Sequence, residues 1–509
     1  MHIAEGDLPL THEVGWSVAS GIVLAYAGWS LRERLGDKFL RTSGQNLTPQ
    51  PPSLRRHRYT HRLPTPVYKG HGFYFDQMQK RHRNRFHRLV REHAHSVNPA
   101  VTGPSALTKT ARQFAATKAM SRFLNHEKVT LPALIEPAQE AVRKALRESV
   151  AAVVLVVHDW CMFSFNTHTG KKDKYQRSGP NDCGYELGSA LVVDAADGRP
   201  LGPMEFRLRT AEGTLSTRPG DAIYPTSHVD ELADVMRDAR RWNLGKPIVH
   251  VIDREADSVG HYRRWQAAGH TFVVRADDNR VVTWNGQVVK LPAIAAALIY
   301  RDVLDADGQP LIVTTSTGVG RVQVAEAAIV LHRPAKVNVD GKKTEVPGPP
   351  LPVRLVVTRV VDALGVVLAE WLLFTNAAAE FDAPTIGRWY AWRWRIETFH
   401  KLLKSAGQNA EKWEQETGEA FAKRLVVAAM ACLTVWHLQR DPSPEAAEFR
   451  ALLIRLSGRQ MKRGVPETAP ALLAGLEKLL TIVNLLETYN LADVLALARR
   501  VLPTLFSSA

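Results

Sequence analysis

The spacing of apolar residues divides the chain into helical and extended segments. Apolar residues recur at intervals of three and four over residues 105–124 and again over 131–149, which predicts two amphipathic helices. The pattern then changes to AAVVLVVH at residues 151–158, a continuous run that is typical of a buried strand. The sequence therefore predicts a small helical module followed by a sheet.

Beyond this run, extended and helical patterns alternate. The predicted strands cover residues 184–194, 203–208, 247–252 and 271–275. The predicted helices between the later strands cover residues 229–242 and 256–268. Residues 280–374 are rich in strand patterns, with a hairpin signal at Asn285-Gly286, and a helix is predicted from Pro384 to about residue 405. With a mostly helical remainder, this order predicts an α/β core with an inserted β domain.

Composition excludes several classes of protein. The 509 residues are 45% hydrophobic and 23% charged, as in ordinary globular proteins, so the chain is not mainly disordered, collagen-like or a disulfide scaffold. Three cysteines without a CxxC pair argue against a zinc ribbon and fit a reducing compartment. The longest uncharged run, residues 15–31, is shorter than the roughly 20 apolar residues of a membrane span. We therefore expect no membrane partner and a cytoplasmic protein.

Net charge points toward a polyanionic partner. The chain carries +15 at pH 7, from 66 Lys and Arg against 51 Asp and Glu. Much of this excess lies between Arg55 and Glu92, where eleven basic residues face two acidic ones. Charge alone therefore favours nucleic acid as a partner without identifying a site.

Two aspartates directly follow apolar strand patterns. Asp159 follows VVLVVH and Asp253 follows PIVHVI. Ligands of open α/β sheets gather at the carboxyl ends of strands, so paired acids there suit a metal ion or a phosphate. The alternative for Asp253 is that it caps the helical turn that follows it.

A third acid lies on the helix predicted after Pro384. At about 100° per residue, Glu397 shares a stripe of about 80° with Tyr390, Arg393, Lys401 and Lys404. The opposite face is apolar and carries Trp392, Ile396, Phe399, Leu402 and Leu403. Two explanations stay open: a solvated face with an ordinary Glu397–Lys401 pair, or a metal-binding carboxylate between groups that hold DNA phosphates.

The spacing Y-x2-R-x3-E-x6-K, formed by Tyr390, Arg393, Glu397 and Lys404, resembles a family signature. It is that of bacterial DDE transposases of the insertion-sequence-four family, which includes hairpin-forming cut-and-paste enzymes. The segment from Asp253 to Asp257 resembles the second acidic motif of this family, and Asp159 matches the first. Trp371 resembles the tryptophan of the insertion domain, and residues 120–137 resemble the N-terminal DNA-binding domain. The resemblance covers about residues 105–440.

The resemblance implies an α/β fold with an RNase H-like catalytic core and a β-strand insertion domain, flanked by helical regions. Together with the patterns above, it divides the chain into five units. These are a basic N-terminal extension, which lies outside the resemblance and is expected to be flexible, a helical DNA-binding domain, the core, the insertion and a helical C-terminal region. They cover, in that order, residues 1–100, 101–150, 151–279 with 381–410, 280–380, and 411–509.

The resemblance also implies the site. Two Mg²⁺ ions, with Mn²⁺ as a substitute, would be held by Asp159 on both ions, Asp253 on one and Glu397 on the other; carboxylates are the hard oxygen ligands that such ions take. Arg393, Lys404 and Tyr390 would hold DNA phosphates. Lys401 lies on the same stripe but outside the family signature, so we expect it to be a secondary contact. Trp371 would stack a flipped base, supported by Arg275, although Trp371 also fits a buried strand position.

The implied function is that of a transposase. It would bind the inverted ends of its element, cut them and join the 3′-OH ends to target DNA, as a homodimer in the synaptic complex and without a small-molecule cofactor. We expect it in the bacterial cytoplasm, on the nucleoid when bound to DNA. Two alternatives are a non-catalytic relative that inhibits transposition and an RNase H-like nuclease without strand transfer. An intact set of three acids favours the enzyme.

Overall fold

A computed structural model describes residues 73–95, 111–177, 179, 182–220, 227–332, 335–339, 342–459 and 467–501. The uncharged run at 15–31 and the start of the helical pattern at 105–110 lie outside the described residues. The same is true of residues 1–72 and 96–100 of the predicted basic extension.

In chain order, the described helices precede the strands, lie between them or follow them. Those before it are α1 (Phe73–Gln77), α2 (Lys80–His95), α3 (Ala111–Leu124) and α4 (Leu131–Glu148). Those within it are α5 (Leu232–Ala239), α6 (Val259–Ala267) and α7 (Leu291–Ala297). Those after it are α8 (Ala383–Ala391), α9 (Trp394–Leu403), α10 (Gly418–Arg440), α11 (Pro444–Ser457), α12 (Ala469–Thr488) and α13 (Leu491–Val501).

We divide the strands by their place in the chain into two groups, one within residues 154–275 and the other within residues 281–375. The first group contains β1 (Val154–Ser164), β2 (Tyr175–Gln176), β3 (Cys183–Asp194), β4 (Pro200–Thr210), β5 (Gly213–Ser216), β6 (Ile248–Ile252) and β7 (Thr271–Arg275). The second contains β8 (Val281–Trp284), β9 (Gln287–Lys290), β10 (Arg301–Asp302), β11 (Ile312–Thr315), β12 (Gly318–Leu331), β13 (Ala335–Val339), β14 (Lys342–Val346), β15 (Leu351–Val361) and β16 (Val367–Thr375).

One large mixed sheet runs through the molecule in the order β5-β4-β3-β1-β6-β7-β16-β15-β12-β8-β9. The strand β1 is antiparallel to β3 and parallel to β6, and β6 is parallel to β7. The antiparallel pairing of β16 with β7 then continues the same sheet into residues 280–374. The β-rich segment therefore extends the sheet, whereas the sequence pattern suggested a separate inserted unit.

Alternation along the strands decides which residues face the helices. Leu155 and Val157 of β1, and Val249 and Val251 of β6, pack in one core with residues of α8, α9 and α10. Successive side chains of a strand point to opposite faces, so Asp159 and Asp253 continue these two rows on the helix-covered face. On the other face, Ile252 and Phe272 pack with α6.

Three predicted boundaries differ from the structure. The strand β1 continues through Asp159 to Ser164, because its pairing with β3 extends over eleven residues. The segment predicted as one helix after Pro384 is broken between α8 and α9, where Trp392 and Arg393 separate two shorter helices. The helix predicted over residues 256–268 begins only at Val259, after the short turn Arg254–Ala256.

The described part of the basic extension is ordered helix and not a flexible arm. Phe86 and Leu89 of α2 are almost fully buried in the main core, together with residues of α10. The buried Arg424 of α10 donates its Nε to Nε2 of His93 at 3.2 Å. The expectation of flexibility was therefore wrong for residues 73–95, because helical periodicity places apolar side chains among the basic ones.

Among the described helices, α10 is the one with the length and hydropathy of a membrane span. However, 83% of its most apolar stretch is buried inside the protein. Its apolar surface is thus accounted for by the core, against which α2, α4 and α9 pack.

Candidate active site

Strand pairing places the two aspartates side by side. In the parallel pair, His158 of β1 is the partner of Ile252 of β6, and this is the last pair of the ladder. Asp159 and Asp253 are the next residue on each strand and share the helix-covered face. Asp253 also caps the turn Arg254–Ala256, because its Oδ1 accepts the N–H of Arg254 at 2.7 Å. Capping and a role in the site are therefore compatible.

The break between α8 and α9 determines where the third acid lies. Arg393 is the N-cap residue of α9, and Glu397 follows one turn later. Ile396 and Phe399 are fully buried and hold this helix on the sheet. As predicted, the apolar face is buried, whereas Tyr390 and Arg393 are also almost fully buried rather than part of a solvated face.

One guanidinium joins the three acids. Nη1 of Arg393 lies 3.2 Å from Oδ2 of Asp159, and its Nη2 lies 3.4 Å from Oδ2 of Asp253 and 2.6 Å from Oε1 of Glu397. The arginine side chain is 4% exposed, while those of the acids are 19%, 30% and 28% exposed in the same order. We call Asp159, Asp253 and Glu397 the acid cluster.

Burial and the guanidinium act in opposite directions on the pKa values of the two aspartates. Burial raises the pKa of Asp159 to about 7, although Arg393 and the N–H of Trp160 lower it in part. Burial also raises the pKa of Asp253, but Arg393, the N–H of Arg254 and the Tyr390 hydroxyl outweigh it, so the pKa falls below its ordinary value. Burial raises the pKa of Tyr390, whose hydroxyl donates to Oδ1 of Asp253 at 3.0 Å.

The acid cluster has the donor chemistry of a divalent-cation site. Its carboxylates are hard oxygen ligands, and they converge on one positive charge, the place that a cation would take. In the present arrangement, however, no group of His, Cys, Asp or Glu in the described part of the chain is set to hold a metal ion. The residue types therefore suit a divalent ion. In the present arrangement, the guanidinium of Arg393 lies between the carboxylates.

The two lysines predicted for DNA contact follow Glu397 in the chain, on α9 and at its end. Lys404, at the end of α9, donates to the carbonyl of Met162 at 2.7 Å and lies 3.2 Å from Oε1 of Glu411. Lys401 is exposed. The spacing also allowed an ordinary Glu397–Lys401 pair. In the structure, Oε1 of Glu397 instead accepts a hydrogen bond from Arg393.

The two remaining predicted residues lie toward the second group of strands. Trp371 of β16 is half-buried, packs against the main core and is the strand partner of Thr358. Arg275 of β7 is the partner of Leu373. Its positive charge is one of the smaller influences that lower the pKa of Asp253, so it lies on the site side of the sheet.

A histidine that sequence reasoning missed links the two aspartate segments. His228 lies 3.1 Å from Oε2 of Glu186 and 3.3 Å from Oε2 of Glu255, and its ring stacks on Trp160 at 4.6 Å. Burial lowers the pKa of His228, but the two glutamates outweigh it and raise the pKa to about 9. Trp160 follows Asp159 and Glu255 lies two residues after Asp253, yet no motif in the sequence marks His228.

Comparison with known families finds a similarity over part of the chain. A family model described as a transposase DDE domain matches residues 226–433. The chain is similar to transposase DDE domains over this segment. The matched residues include Asp253, Trp371 and the stretch from Tyr390 to Lys404, while Asp159 lies before them. Comparison with curated proteins gives no match.

Proposed function

We propose that the chain is a DDE transposase of the insertion-sequence-four type, acting by cut and paste on its own element. The observation that carries this proposal is the meeting of Asp159, Asp253 and Glu397 around one guanidinium, from three distant segments. Similarity to transposase DDE domains over residues 226–433 supports the same activity. We place the protein in the bacterial cytoplasm.

We further propose that β4, β3, β1, β6 and β7 form an RNase H-like core. Support comes from the strand order, with antiparallel pairs on one side of β1 and parallel pairs on the other. Such a core brings the ends of two parallel strands and one covering helix together, which is what three carboxylates from distant segments need. Residues 101–150 would be the DNA-binding domain, and residues 280–380 the insertion.

In the proposed mechanism, Asp159, Asp253 and Glu397 would together hold two Mg²⁺ ions. When bound, the ions supply an activated attacking oxygen and a stabilised leaving oxygen. Arg393 offers a planar fork of donors suited to a phosphate, and Tyr390 a hydroxyl donor. Lys404 would hold a phosphate near the end of the element, with Lys401 as a secondary contact, and Arg275 would support a flipped nucleotide.

Catalysis by a pair of subunits is part of the proposal. No residue of α13 is buried in the described part of the chain, although Leu491, Val494 and Val501 form an exposed apolar face. We propose that this face contributes to a homodimer.

Val494→Glu should lower the sedimentation coefficient of the DNA complex to that of a single subunit. Ala496→Glu, on the other face of α13, should leave it unchanged. Equal behaviour of both variants would contradict this role.

A cleavage assay tests the proposed function. The substrates are duplexes copied from the DNA on both sides of the gene, with Mg²⁺ present. We expect wild type to cut at a fixed boundary, and Asp253→Asn and Glu397→Gln to bind the same duplex without cutting it. Glu380→Gln, an exposed acid outside the cluster, is the matched control and should cut normally.

Other outcomes would overturn the proposal. Wild-type binding without cleavage would indicate a DNA-binding protein that lacks catalysis. Cutting without a fixed boundary would indicate a nuclease that needs no paired ends. Cleavage by Glu397→Gln at the wild-type rate would remove that residue from the site.

A further inference from the structure

Arg393 occupies the centre of the acid cluster, and this position has a consequence for metal binding. We propose that Arg393 is an internal cation that competes with divalent ions for the acid cluster, and that a DNA phosphate relieves this competition by binding the guanidinium. The proposal rests on the proposed function, because it takes the acid cluster to be the metal site. It adds an order to the reaction, in which DNA binding promotes metal loading.

The hydrogen bonds of the two aspartates show why an entering ion must compete. Oδ1 of Asp159 accepts the N–H of Trp160 at 2.8 Å, and its Oδ2 faces Arg393. Oδ1 of Asp253 accepts from the N–H of Arg254 and from Tyr390, and its Oδ2 also faces Arg393. Backbone donors are fixed by the fold, so the arginine side chain is the charged partner that is able to withdraw.

Charge balance makes the exchange reciprocal. Burial lowers the pKa of Arg393, but Tyr390 and the three acids outweigh it, so the pKa rises above its ordinary value and the guanidinium keeps its charge. Removing that charge without replacement would leave three carboxylates facing one another in a partly dry site. A divalent ion provides the replacement, and a phosphate provides the guanidinium with a new two-pronged partner.

Linkage gives the size of the effect. If DNA removes the competitor, metal affinity must rise with DNA, and DNA affinity must rise with metal by the same factor. Coupling between two sites is commonly about 5–150-fold. A variant without the guanidinium should therefore bind metal more tightly in the absence of DNA and gain less from adding it.

Free Mn²⁺ measured by electron paramagnetic resonance tests this in the full-length protein. We expect Arg393→Gln to bind Mn²⁺ about tenfold more tightly than wild type without DNA. Arg395→Gln is the matched control, because it removes one positive charge from the same helix, where Nε of Arg395 donates to the carbonyl of Gly198. It should change the affinity less than twofold. Adding the flanking duplex should tighten Mn²⁺ binding in wild type far more than in Arg393→Gln.

Arg393→Lys keeps the experiment decisive if Arg393→Gln does not fold. A lysine has one ammonium group and no fork, so it should hold the acids less well and give an intermediate Mn²⁺ affinity. Thermal unfolding shows whether each variant is folded.

The results separate failure of this inference from failure of the proposed function. One outcome is that Asp253→Asn abolishes Mn²⁺ binding, while wild type binds Mn²⁺ as tightly as the Arg393 variants or more tightly. That outcome would overturn the competition and leave the metal site intact. Absence of Asp253-dependent Mn²⁺ binding in every protein, with and without duplex, would overturn both.

Discussion

Trp371 occupies a position in the sheet that is compatible with two different roles. Its strand neighbour Leu372 is buried, while its own side chain is half-buried against the main core. Part of the side chain is exposed, and stacking of a base on an exposed aromatic ring contributes about 1–3 kcal/mol. The half-buried position is thus compatible with both packing and the proposed base platform.

Replacing Trp371 by alanine distinguishes these roles. If the ring stacks a flipped base, Trp371→Ala should slow hairpin formation about tenfold more than first-strand nicking, both followed on denaturing gels. Trp284→Ala, which removes another partly buried tryptophan of the second group of strands, is the control and should affect neither step selectively. Equal slowing of nicking and hairpin formation by Trp371→Ala would identify a packing residue.

Between elements, the turn from β3 to β4 supports the break between α8 and α9. Gly198 in this turn has φ +71°, and a Cβ added there would lie 2.4 Å from the Trp392 ring. Trp392 immediately precedes Arg393, so the glycine allows the close approach that places the guanidinium. Gly245 has a nearly equal φ of +72° but open space around it.

Alanine at these two glycines separates backbone strain from packing. Gly245→Ala should lower the free energy of unfolding by about 1 kcal/mol, from the left-handed backbone alone. Gly198→Ala should cost about 2–4 kcal/mol, because the Trp392 ring must also move. Urea denaturation measures both. Equal losses would show that Trp392 does not constrain the turn.

His228 connects β1, β3 and the turn after β6, and its charge makes this connection depend on pH. Because the glutamates raise its pKa from 6.5 to about 9, the folded state holds the proton more tightly than the unfolded state. The stabilisation is complete below pH 6.5 and is lost as the pH rises toward 9. One pKa unit corresponds to about 1.4 kcal/mol, so the upper limit is about 3 kcal/mol.

The variant His228→Gln should therefore be less stable than wild type at pH 6 and close to it at pH 9.5. The difference in melting temperature across this range is the measurement. His261→Gln is the control, since His261 also stacks on a tryptophan, Trp265 at 5.5 Å, but burial lowers its pKa to about 4. A difference for His228→Gln that does not change with pH would show that the ring acts through packing alone.

On the scale of the whole molecule, α2 joins the N-terminal segment to the C-terminal helices. Gln408 donates to the carbonyl of His93 at 2.9 Å, and Arg424 contacts the ring of the same histidine. The segment thus packs beside the loop that follows Glu397. Its basic residues lie on a helix that is part of the protein body.

This packing makes a testable difference to stability. Phe86→Ala should lower the free energy of unfolding of the main core by about 3–5 kcal/mol, because it opens a cavity at a fully buried site. Arg88→Ala, which removes an exposed partner of Glu92 on the same helix, should cost less than about 1 kcal/mol. Chemical denaturation of both variants provides the comparison. A loss below 1 kcal/mol for Phe86→Ala would mean that α2 does not contribute to the cooperative core.

The sequence by itself determined the local features of this protein. The apolar runs VVLVVH and PIVHVI predicted two strands, and they placed both aspartates where these runs end. The helical period likewise identifies the buried face of α9. Residue type and position predict Asp159, Asp253 and Glu397 as acids whose chemistry suits a metal ion.

Only the tertiary structure decided how these parts meet. Strand register makes Asp159 and Asp253 neighbours, yet register depends on pairing between residues far apart in the chain. Three other features also depend on distant partners. They are the burial of Arg393 among three acids, the contacts of His228 with two glutamates, and the pairing of β16 with β7. Periodicity reports which face of an element is buried. It does not report which charges the fold will place together, because their energies depend on distance and burial, which exist only in the folded chain.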